Sequence, residues 1–331
     1  MKRARHLLCL VLVFALVLTG IVGEKRIASA TPVSANGRLQ VKGRQIVNQK
    51  GKPFVIKGVS THGIAWFPQY VNQKAFASLK RRGVNTVRLA MYTEEYGGYC
   101  CSGKAKQKEL KKLLDVGVKA AKALGMYVII DWHILSDGNP LRHQSQAKKF
   151  FREIGKKYAS YDNVLFEICN EPNGGDGNWT NIRKYAKAVI KTIRKVNKKA
   201  IVIVGTPTWS QDVDVAAQKP LAGKNIAYAF HFYGATHKED LRNKLTGAVK
   251  KGLPILVTEF GISEASGNGK VSISQGNRWM RLLNKYKIGR VCWNLSNKAE
   301  SSALLKNNCG RVSGWKSSDF TKQGRWLWKQ Y

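Results

Sequence analysis

Three carboxylates stand out because each lies at or near the end of a short apolar run: Asp131, Glu171 and Glu259. The chain has only 20 acidic residues, and most of the others lie in Lys-rich or polar stretches typical of solvated surface. A carboxylate at the end of a buried strand needs a cation or hydrogen-bond donors, because burying it unpaired is costly. Arg88, at the end of another apolar run, is a candidate partner for at least one of them. The pattern predicts acid–base or nucleophilic chemistry.

Eight short runs rich in apolar and β-branched residues predict the strands that carry these side chains. They are residues 54–59, 84–90, 126–132, 164–170, 200–205, 226–233, 255–260 and 290–295. Longer segments rich in Lys, Ala and Leu predict helices between them, at 73–82, 106–124, 145–159, 178–197, 238–251 and 274–287, with a closing helix near 319–330. Strands this continuously apolar are typical of a parallel sheet covered on both faces.

Eight strand–helix units in series predict an α/β fold, a single (β/α)8 TIM barrel, rather than an open doubly wound sheet. The chain has no Gly-x-Gly-x-x-Gly after the first strand and no Gly-x-x-x-x-Gly-Lys-Ser/Thr motif. We therefore expect one catalytic domain over residues 31–331, without a second binding module. In a barrel the strand ends meet at one mouth, where active sites form.

Glu171 and Glu259 end the fourth and seventh strands, which lie on roughly opposite sides of such a mouth. Two facing carboxylates suit glycoside hydrolysis, one as acid/base and one as nucleophile. The alternative is that either glutamate merely caps a strand or pairs with Arg88. Trp66, Trp209 and Trp293 also follow strand ends, where indole rings could stack on sugars, so the hydrolytic interpretation is favoured. The sequence leaves retention and inversion of configuration open.

Three histidines could instead form a metal site, since His62, His133 and His231 would converge from strands one, three and six. Their spacing is not local, so the sequence predicts no metal and no cofactor. An odd number of cysteines after residue 30, with no Cys-x-x-Cys, argues against a disulfide scaffold or zinc site. Cys169 and Cys292, within apolar runs, are predicted to be buried thiols.

The N-terminus has a basic start, an apolar core at residues 7–22 and small residues at 28–30. This pattern predicts a signal peptide over residues 1–30 and a secreted protein without stable membrane insertion, with a retained anchor as the alternative.

The formal net charge is +37, from 57 Lys+Arg against 20 Asp+Glu. Attraction to an anionic surface is one reading, but lysines spread over every predicted helix favour a generally cationic surface. No recognition motif or basic patch predicts nucleic-acid binding, and a monomer is expected.

Eight segments in order on successive strands give a resemblance to the retaining endoglucanases of glycoside hydrolase family 5, in clan A. They are GVSTHG (58–63), VRLAMY (87–92), IDWHILSDGNP (130–140), NEPNG (170–174), GTPTWSQD (205–212), HFY (231–233), VTEFG (257–261) and WNLSNKAESS (293–302). The loop at 94–101 matches no segment of this pattern. The resemblance implies a β-1,4-glucan as the partner and substrate, with a related β-glycanase acting on mannan, xyloglucan or mixed-linkage glucan as the alternative.

The resemblance also implies roles. Glu171 would be the acid/base and Glu259 the nucleophile, ionised by the nearby cation Arg88. The implied supporting residues are His133 and His231, which would orient the pair, Asn170 at the sugar 2-hydroxyl, and Tyr233 as a donor to Glu259. The implied substrate-binding residues are His62, Trp66, Trp209, Trp293, Lys298 and Glu300.

Overall fold

A computed structural model describes residues 32–331, and the predicted signal segment lies outside the described residues. Eight parallel strands close into a barrel in the order β3 to β10, with β10 pairing back onto β3. The barrel strands are β3 (Lys57–Thr61), β4 (Thr86–Tyr92), β5 (Tyr127–His133), β6 (Val164–Glu167), β7 (Val202–Val204), β8 (Ile226–Tyr233), β9 (Ile255–Gly261) and β10 (Arg290–Leu295). The predicted (β/α)8 TIM barrel is confirmed.

Helices alternate with the strands on the outside of the barrel, with apolar faces turned inward. Their bounds are α1 (Pro32–Asn36), α2 (Gln73–Lys80), α3 (Lys104–Ala123), α4 (Gln144–Lys157), α5 (Trp179–Val196), α6 (Pro207–Ser210), α7 (Val213–Gln218), α8 (Glu239–Lys250), α9 (Ile273–Tyr286) and α10 (Lys322–Trp328). Side chains of Asn72, Asn178, Ser272 and Thr321 cap four of these helices at their N-termini. No helix of residues 32–331 is long and apolar enough to cross a membrane.

A short hairpin, β1 (Gln40–Lys42) and β2 (Gln45–Val47), precedes the barrel and was not predicted. Leu39 and Ile46 pack with Ile56 and inward residues of the barrel strands, forming a core cluster separate from the layer beneath the helices. The hairpin also corrects the first predicted strand, which begins at Lys57 rather than at residue 54. The Phe54 N–H is bonded to the Ile46 carbonyl, so this segment pairs with β2 instead of the barrel.

The fourth predicted strand was also too long, because β6 ends at Glu167 rather than at residue 170. The Ile168 carbonyl accepts a 2.6 Å hydrogen bond from the Tyr185 hydroxyl of α5, and Cys169 packs among the residues beneath the helices. Regular alternation stops at Glu167, whose side chain points into the barrel and is bonded to Arg88 and Thr258. Cys169 and Cys292 are buried, as expected.

Candidate active site

The carboxyl ends of the strands surround one cleft of about 520 Å³. Eleven of the thirteen predicted site residues line it; they are His62, Trp66, His133, Glu171, Trp209, His231, Tyr233, Glu259, Trp293, Lys298 and Glu300. The other two, Arg88 and Asn170, are fully buried outside the lining. The cleft therefore has an aromatic and acidic lining above a buried polar layer.

Arg88 is the centre of that buried layer. Its Nη1 donates to Glu259 Oε2 at 3.1 Å, and its Nε donates to Glu167 Oε2 at 2.7 Å. Its Nη2 donates to Asn170 Oδ1 at 2.6 Å and lies 3.0 Å from Asp131 Oδ2. A buried guanidinium with this many acceptors stays charged, since its carboxylate partners outweigh the desolvation that would otherwise lower its pKa. The cation compensates a group of acids that could not be buried alone.

Glu259 is held through both carboxylate oxygens. The Tyr233 hydroxyl donates to Oε1 at 2.7 Å, while Arg88 binds Oε2. The carboxyl group is only 6% exposed, so its remaining open side faces the cleft. Burial and the adjacent Glu259 charge hold the pKa of the Tyr233 phenol well above its usual value, so the hydroxyl remains a donor.

A chain of hydrogen bonds beneath the cleft links Glu171 to Glu167, and Arg88 joins Glu167 to Glu259. Glu171 Oε1 lies 2.8 Å from His231 Nδ1, and His231 Nε2 lies 2.9 Å from the Thr258 hydroxyl. That hydroxyl donates to Glu167 Oε1 at 2.6 Å. Since Thr258 donates to Glu167, it must accept from His231, so Nε2 of His231 carries a proton.

The pKa values of Glu171 and His231, the first two members of this chain, are both raised, for different reasons. Burial raises the pKa of Glu171, and the negative charge of Glu259 raises it further, so Glu171 favours its protonated form more than an ordinary glutamate does. Burial alone would lower the pKa of His231, but the carboxylate of Glu167, 3.9 Å away, and the hydrogen bond to Glu171 reverse this and raise it to about 9. The two groups are hydrogen-bonded to each other, so they titrate as a pair.

The two cleft carboxylates lie close together. Among residues 32–331, Glu171, His231 and Glu259 bring ligand-type atoms within 4.8 Å of one another. His62 and His133 are outside this group, so the three histidines do not converge as the metal alternative required. The His231 nitrogens are both engaged, one by Glu171 and one by Thr258. This arrangement suits proton transfer between side chains.

His133 lies beside the carboxylate pair but is bonded to neither glutamate. Its Nδ1 lies 2.5 Å from Asp131 Oδ2, and its Nε2 lies 3.3 Å from Asn170 Nδ2. Burial, together with the charge of Arg88, lowers the pKa of His133 to about 3, so the imidazole is neutral. His133 contacts Asn170, whereas His231 contacts Glu171, and the role of His133 in orienting the carboxylate pair stays a prediction.

One wall of the cleft is a stack of aromatic rings. His62 lies between Trp66 and Trp293, with ring centroids 5.1 and 5.0 Å apart, and Trp66 stacks on Tyr92 at 5.0 Å. Burial lowers the pKa of His62 to about 3, and the ring is therefore neutral. The Lys298 ammonium group lies 3.4 Å from His62 Nε2 and forms a 2.7 Å ion pair with Glu300.

The opposite side of the cleft is formed by Trp209, which is 45% exposed. Three of the four residues of α6, Thr208, Trp209 and Ser210, have positive φ, between 54° and 57°, a region that few residues other than glycine adopt, so α6 is a left-handed turn rather than a regular helix. Two bonds hold this left-handed turn against the loop after β6. The Ser210 hydroxyl donates to the Asn170 carbonyl at 2.6 Å, and the Trp209 N–H donates to the Pro172 carbonyl at 3.0 Å.

Several residues that contribute to the site were not predicted as site residues. They are Tyr92, Glu95, Leu135, Gln211, His237 and the segment 265–267 in the lining, and Thr258 below it. Tyr92 and Gln211 lie within the motifs quoted above, and Tyr92 ends β4, so the motifs could have identified both. Glu95 lies on the loop at 94–101 that matched no motif. Its Oε1 accepts from the Ser136 N–H at 2.8 Å.

A family model and the curated relatives of this chain all point to the same family of enzymes. The family model described as "Cellulase (glycosyl hydrolase family 5)" matches residues 47–299. An endoglucanase of Clostridium saccharobutylicum is 45% identical over 91% of this chain and 66% of its own length. Endoglucanase A of Butyrivibrio fibrisolvens is 43% identical over 88% of this chain and 68% of its own length. The chain thus spans about two thirds of the length of these curated relatives.

Solved structures with the same fold are also cellulases and endoglucanases. The structure of the cellulase Cel5C_n has a TM-score of 0.87 and 40% identity, covering 91% of this chain and 94% of that one. A variant of the catalytic domain of Thermobifida fusca endoglucanase Cel5A, solved with cellotetraose, has a TM-score of 0.84 and 35% identity, covering 91% and 99%. By sequence and by structure, the chain belongs to glycosyl hydrolase family 5, the cellulase family.

Proposed function

We propose that the protein is an endo-β-1,4-glucanase that hydrolyses internal bonds of cellulose and related β-glucans with retention of configuration. The observation that carries the proposal is the pair Glu171 and Glu259, whose nearest ligand-type atoms lie within 4.8 Å across an open cleft. Retaining glycosidases keep their carboxyl groups about 5 Å apart, whereas inverting enzymes need ~6.5–9.5 Å to admit a water. Similarity to endoglucanases supports the choice of substrate.

In the first step Glu259 attacks the anomeric carbon while Glu171 protonates the leaving oxygen. Arg88 and Tyr233 hold the two oxygens of Glu259, and fix its orientation toward the cleft. The raised pKa of Glu171 suits an acid that must hold a proton before reaction. Once the glycosyl–enzyme ester forms, Glu259 loses its charge, the pKa of Glu171 falls, and Glu171 can act as base toward water.

Asn170 would bind the 2-hydroxyl of the sugar under attack, positioned by Arg88 and His133. Trp293 would form the floor of the cleavage subsite. His62, Trp66 and Trp209 would provide stacking surfaces, and Lys298 and Glu300 would bind hydroxyls further along the cleft. The aromatic lining favours sugar faces, which carry C–H groups suited to stacking on indoles.

The test compares viscosity loss and reducing-sugar release on carboxymethylcellulose, mannan, xyloglucan and mixed-linkage glucan. We expect rapid viscosity loss on carboxymethylcellulose, abolished by Glu171→Gln and by Glu259→Gln but unchanged by Glu109→Gln on the exposed face of α3. Proton NMR of the first product should show the β-anomer before mutarotation. Activity confined to mannan or xyloglucan would overturn the substrate, and first formation of the α-anomer would overturn retention.

We further propose that residues 1–30 direct secretion and that the mature protein is a monomer that does not bind nucleic acid. The basic start and apolar core of residues 1–22 support export. N-terminal sequencing of protein from the culture medium should find a start at Thr31. Retention of the full chain in the membrane fraction would favour an anchor instead.

A further inference from the structure

Helix α5, on the outside of the barrel, carries charged side chains of one sign only. Between residues 177 and 211 the chain has eight Lys and Arg residues and no Asp or Glu. Four of them, Lys184, Lys187, Lys191 and Lys195, are exposed on α5. Their spacing of three, four and four residues puts them on one face of the helix, along about 17 Å of its length. We call these four residues the α5 lysine row.

The α5 lysine row lacks the ion pairs found on neighbouring helices. On α3, Lys111 pairs with Glu153 and Lys119 pairs with Asp115, each at 2.8 Å. Within the described part of the chain, no carboxylate oxygen lies within 4 Å of a row ammonium group. Like charges three or four residues apart destabilise a helix. An external polyanion would remove this repulsion.

The basic face extends beyond the row on both sides. Lys198 is exposed just after α5 ends. Arg194 donates to the Lys224 carbonyl at 2.9 Å, so the exposed Lys224 also lies beside the end of α5. On α4, which packs against α5, the exposed Arg152 and Lys156 have no carboxylate partner among residues 32–331. The charge therefore covers a two-helix surface rather than a single line.

The side chains exposed on α4 and α5 limit the classes of polyanion that this surface could bind. The large apolar residues exposed in the described structure are Tyr96, Val116, Trp209, Ile273 and Val312, and none is on α4 or α5. The surface thus offers no side chain to insert into a lipid layer or to stack on nucleic-acid bases. It offers point charges at a mean interval of about 5.5 Å along a straight helix. This interval is comparable to the length of one pyranose unit.

We propose that the α5 lysine row binds a linear acidic polysaccharide, with the uronate carboxylates of successive sugars meeting successive lysines. Choosing a polysaccharide among polyanions rests on the proposed function, because an acidic polymer mixed with the neutral substrate would retain the enzyme there. Helix α5 follows β6 and starts at the cleft end of the barrel, so a bound chain would run along the barrel wall toward the cleft rim.

The test measures binding to polygalacturonate by affinity electrophoresis at low salt and at about 0.15 M salt, where exposed charges are screened. The row variant carries Lys184→Gln, Lys187→Gln, Lys191→Gln and Lys195→Gln, which preserve helix propensity. The matched control removes the same charge from exposed, scattered lysines, by Lys50→Gln, Lys74→Gln, Lys250→Gln and Lys322→Gln.

We expect the row variant to bind at least about tenfold more weakly and the control within about threefold of the parent, because each lost surface pair is individually weak but the row acts together. Equal losses in both variants, or no binding by the parent at low salt, would overturn the proposal. Tighter, equally row-dependent binding to duplex DNA or to vesicles rich in anionic lipid would overturn the choice of polysaccharide.

Failure of this proposal is distinguishable from failure of the proposed function. Both lysine variants should hydrolyse a soluble, uncharged cello-oligosaccharide at the parent rate, since the row lies outside the cleft and this substrate carries no carboxylate for the row to bind. Glu171→Gln should bind polygalacturonate like the parent. Loss of polyuronate binding in Glu171→Gln would place that polymer in the cleft and overturn the row as its site.

Discussion

Replacing Thr258 by valine should slow catalysis without weakening substrate binding. Thr258 is fully buried and does not line the cleft, yet its hydroxyl is the single group between His231 and Glu167, at 2.9 and 2.6 Å. Valine keeps the shape and removes the hydroxyl. His231 Nε2 then loses its acceptor, and Glu167 loses a donor.

The size of the effect follows from the bonds removed. A buried hydrogen bond to a charged group contributes about 1.5–3 kcal/mol, and each 1.36 kcal/mol of barrier is tenfold in rate. If most of this loss reaches the transition state through the misplaced His231–Glu171 pair, kcat falls about ten- to a hundredfold. KM should stay within about twofold, because no substrate contact is lost.

The pH profile provides the specific readout. The nearby Glu167 carboxylate and the hydrogen bond to Glu171 raise the pKa of His231 to about 9, against the opposite effect of burial. Without Thr258 the Glu167 charge is less well coupled to the imidazole, so the pair loses its last proton at lower pH. The alkaline limb of the kcat profile should therefore move to lower pH.

The assay is kcat, KM and kcat against pH on a soluble cello-oligosaccharide, with Thr258→Ser as the matched control. Serine retains the hydroxyl and should keep the parent profile. If Thr258→Val leaves both kcat and the alkaline limb unchanged, the relay has no role in catalysis. If Thr258→Ser is as slow as Thr258→Val, the methyl packing matters and the hydroxyl does not.

Four further expectations follow from the same site. Tyr233→Phe should lower kcat about ten- to a hundredfold, measured by steady-state kinetics, because it removes one bond to the nucleophile. Arg88→Met should lower the free energy of unfolding by about 3–5 kcal/mol in urea titrations, since it leaves buried carboxylates uncompensated. His62 and His133 have pKa values lowered to about 3, below the ordinary 6.5, so the melting temperature should fall as pH drops from 6.5 toward 3 and His133→Asn should reduce that fall in calorimetry. Trp209→Ala should raise KM several-fold on long oligosaccharides and leave kcat on short ones unchanged, as kinetics across chain lengths would show.

The barrel and the lining of its cleft could be predicted from sequence because each depends on local patterns. Continuous apolar runs mark strands of a parallel sheet, and polar residues at their ends must meet at the mouth. Where the fourth strand stops could not be predicted in this way. Just beyond its end the Ile168 carbonyl accepts from the Tyr185 hydroxyl of α5, a contact between two elements that no local sequence pattern indicates.

Thr258 was missed for a related reason. Strict alternation along β9 would put neighbouring residues on opposite faces, and Glu259 occupies the cleft face. The pairing of β8 with β9 shifts between Ala229 and His231, so alternation is broken there and Thr258 also reaches the interior network. An irregularity of register has no signature in composition or spacing.

The left-handed turn at Thr208–Ser210 has a consequence for engineering. Non-glycine residues held at positive φ each cost roughly 1–3 kcal/mol, and a β-branched residue such as Thr208 is especially unsuited to it. Thr208→Gly would relieve that strain but also remove the 2.6 Å hydrogen bond from the Thr208 hydroxyl to Asp212. A substitution that relieves the strain of this turn would therefore raise the stability of the protein, but it would hold the Trp209 ring less firmly over the cleft and lower activity.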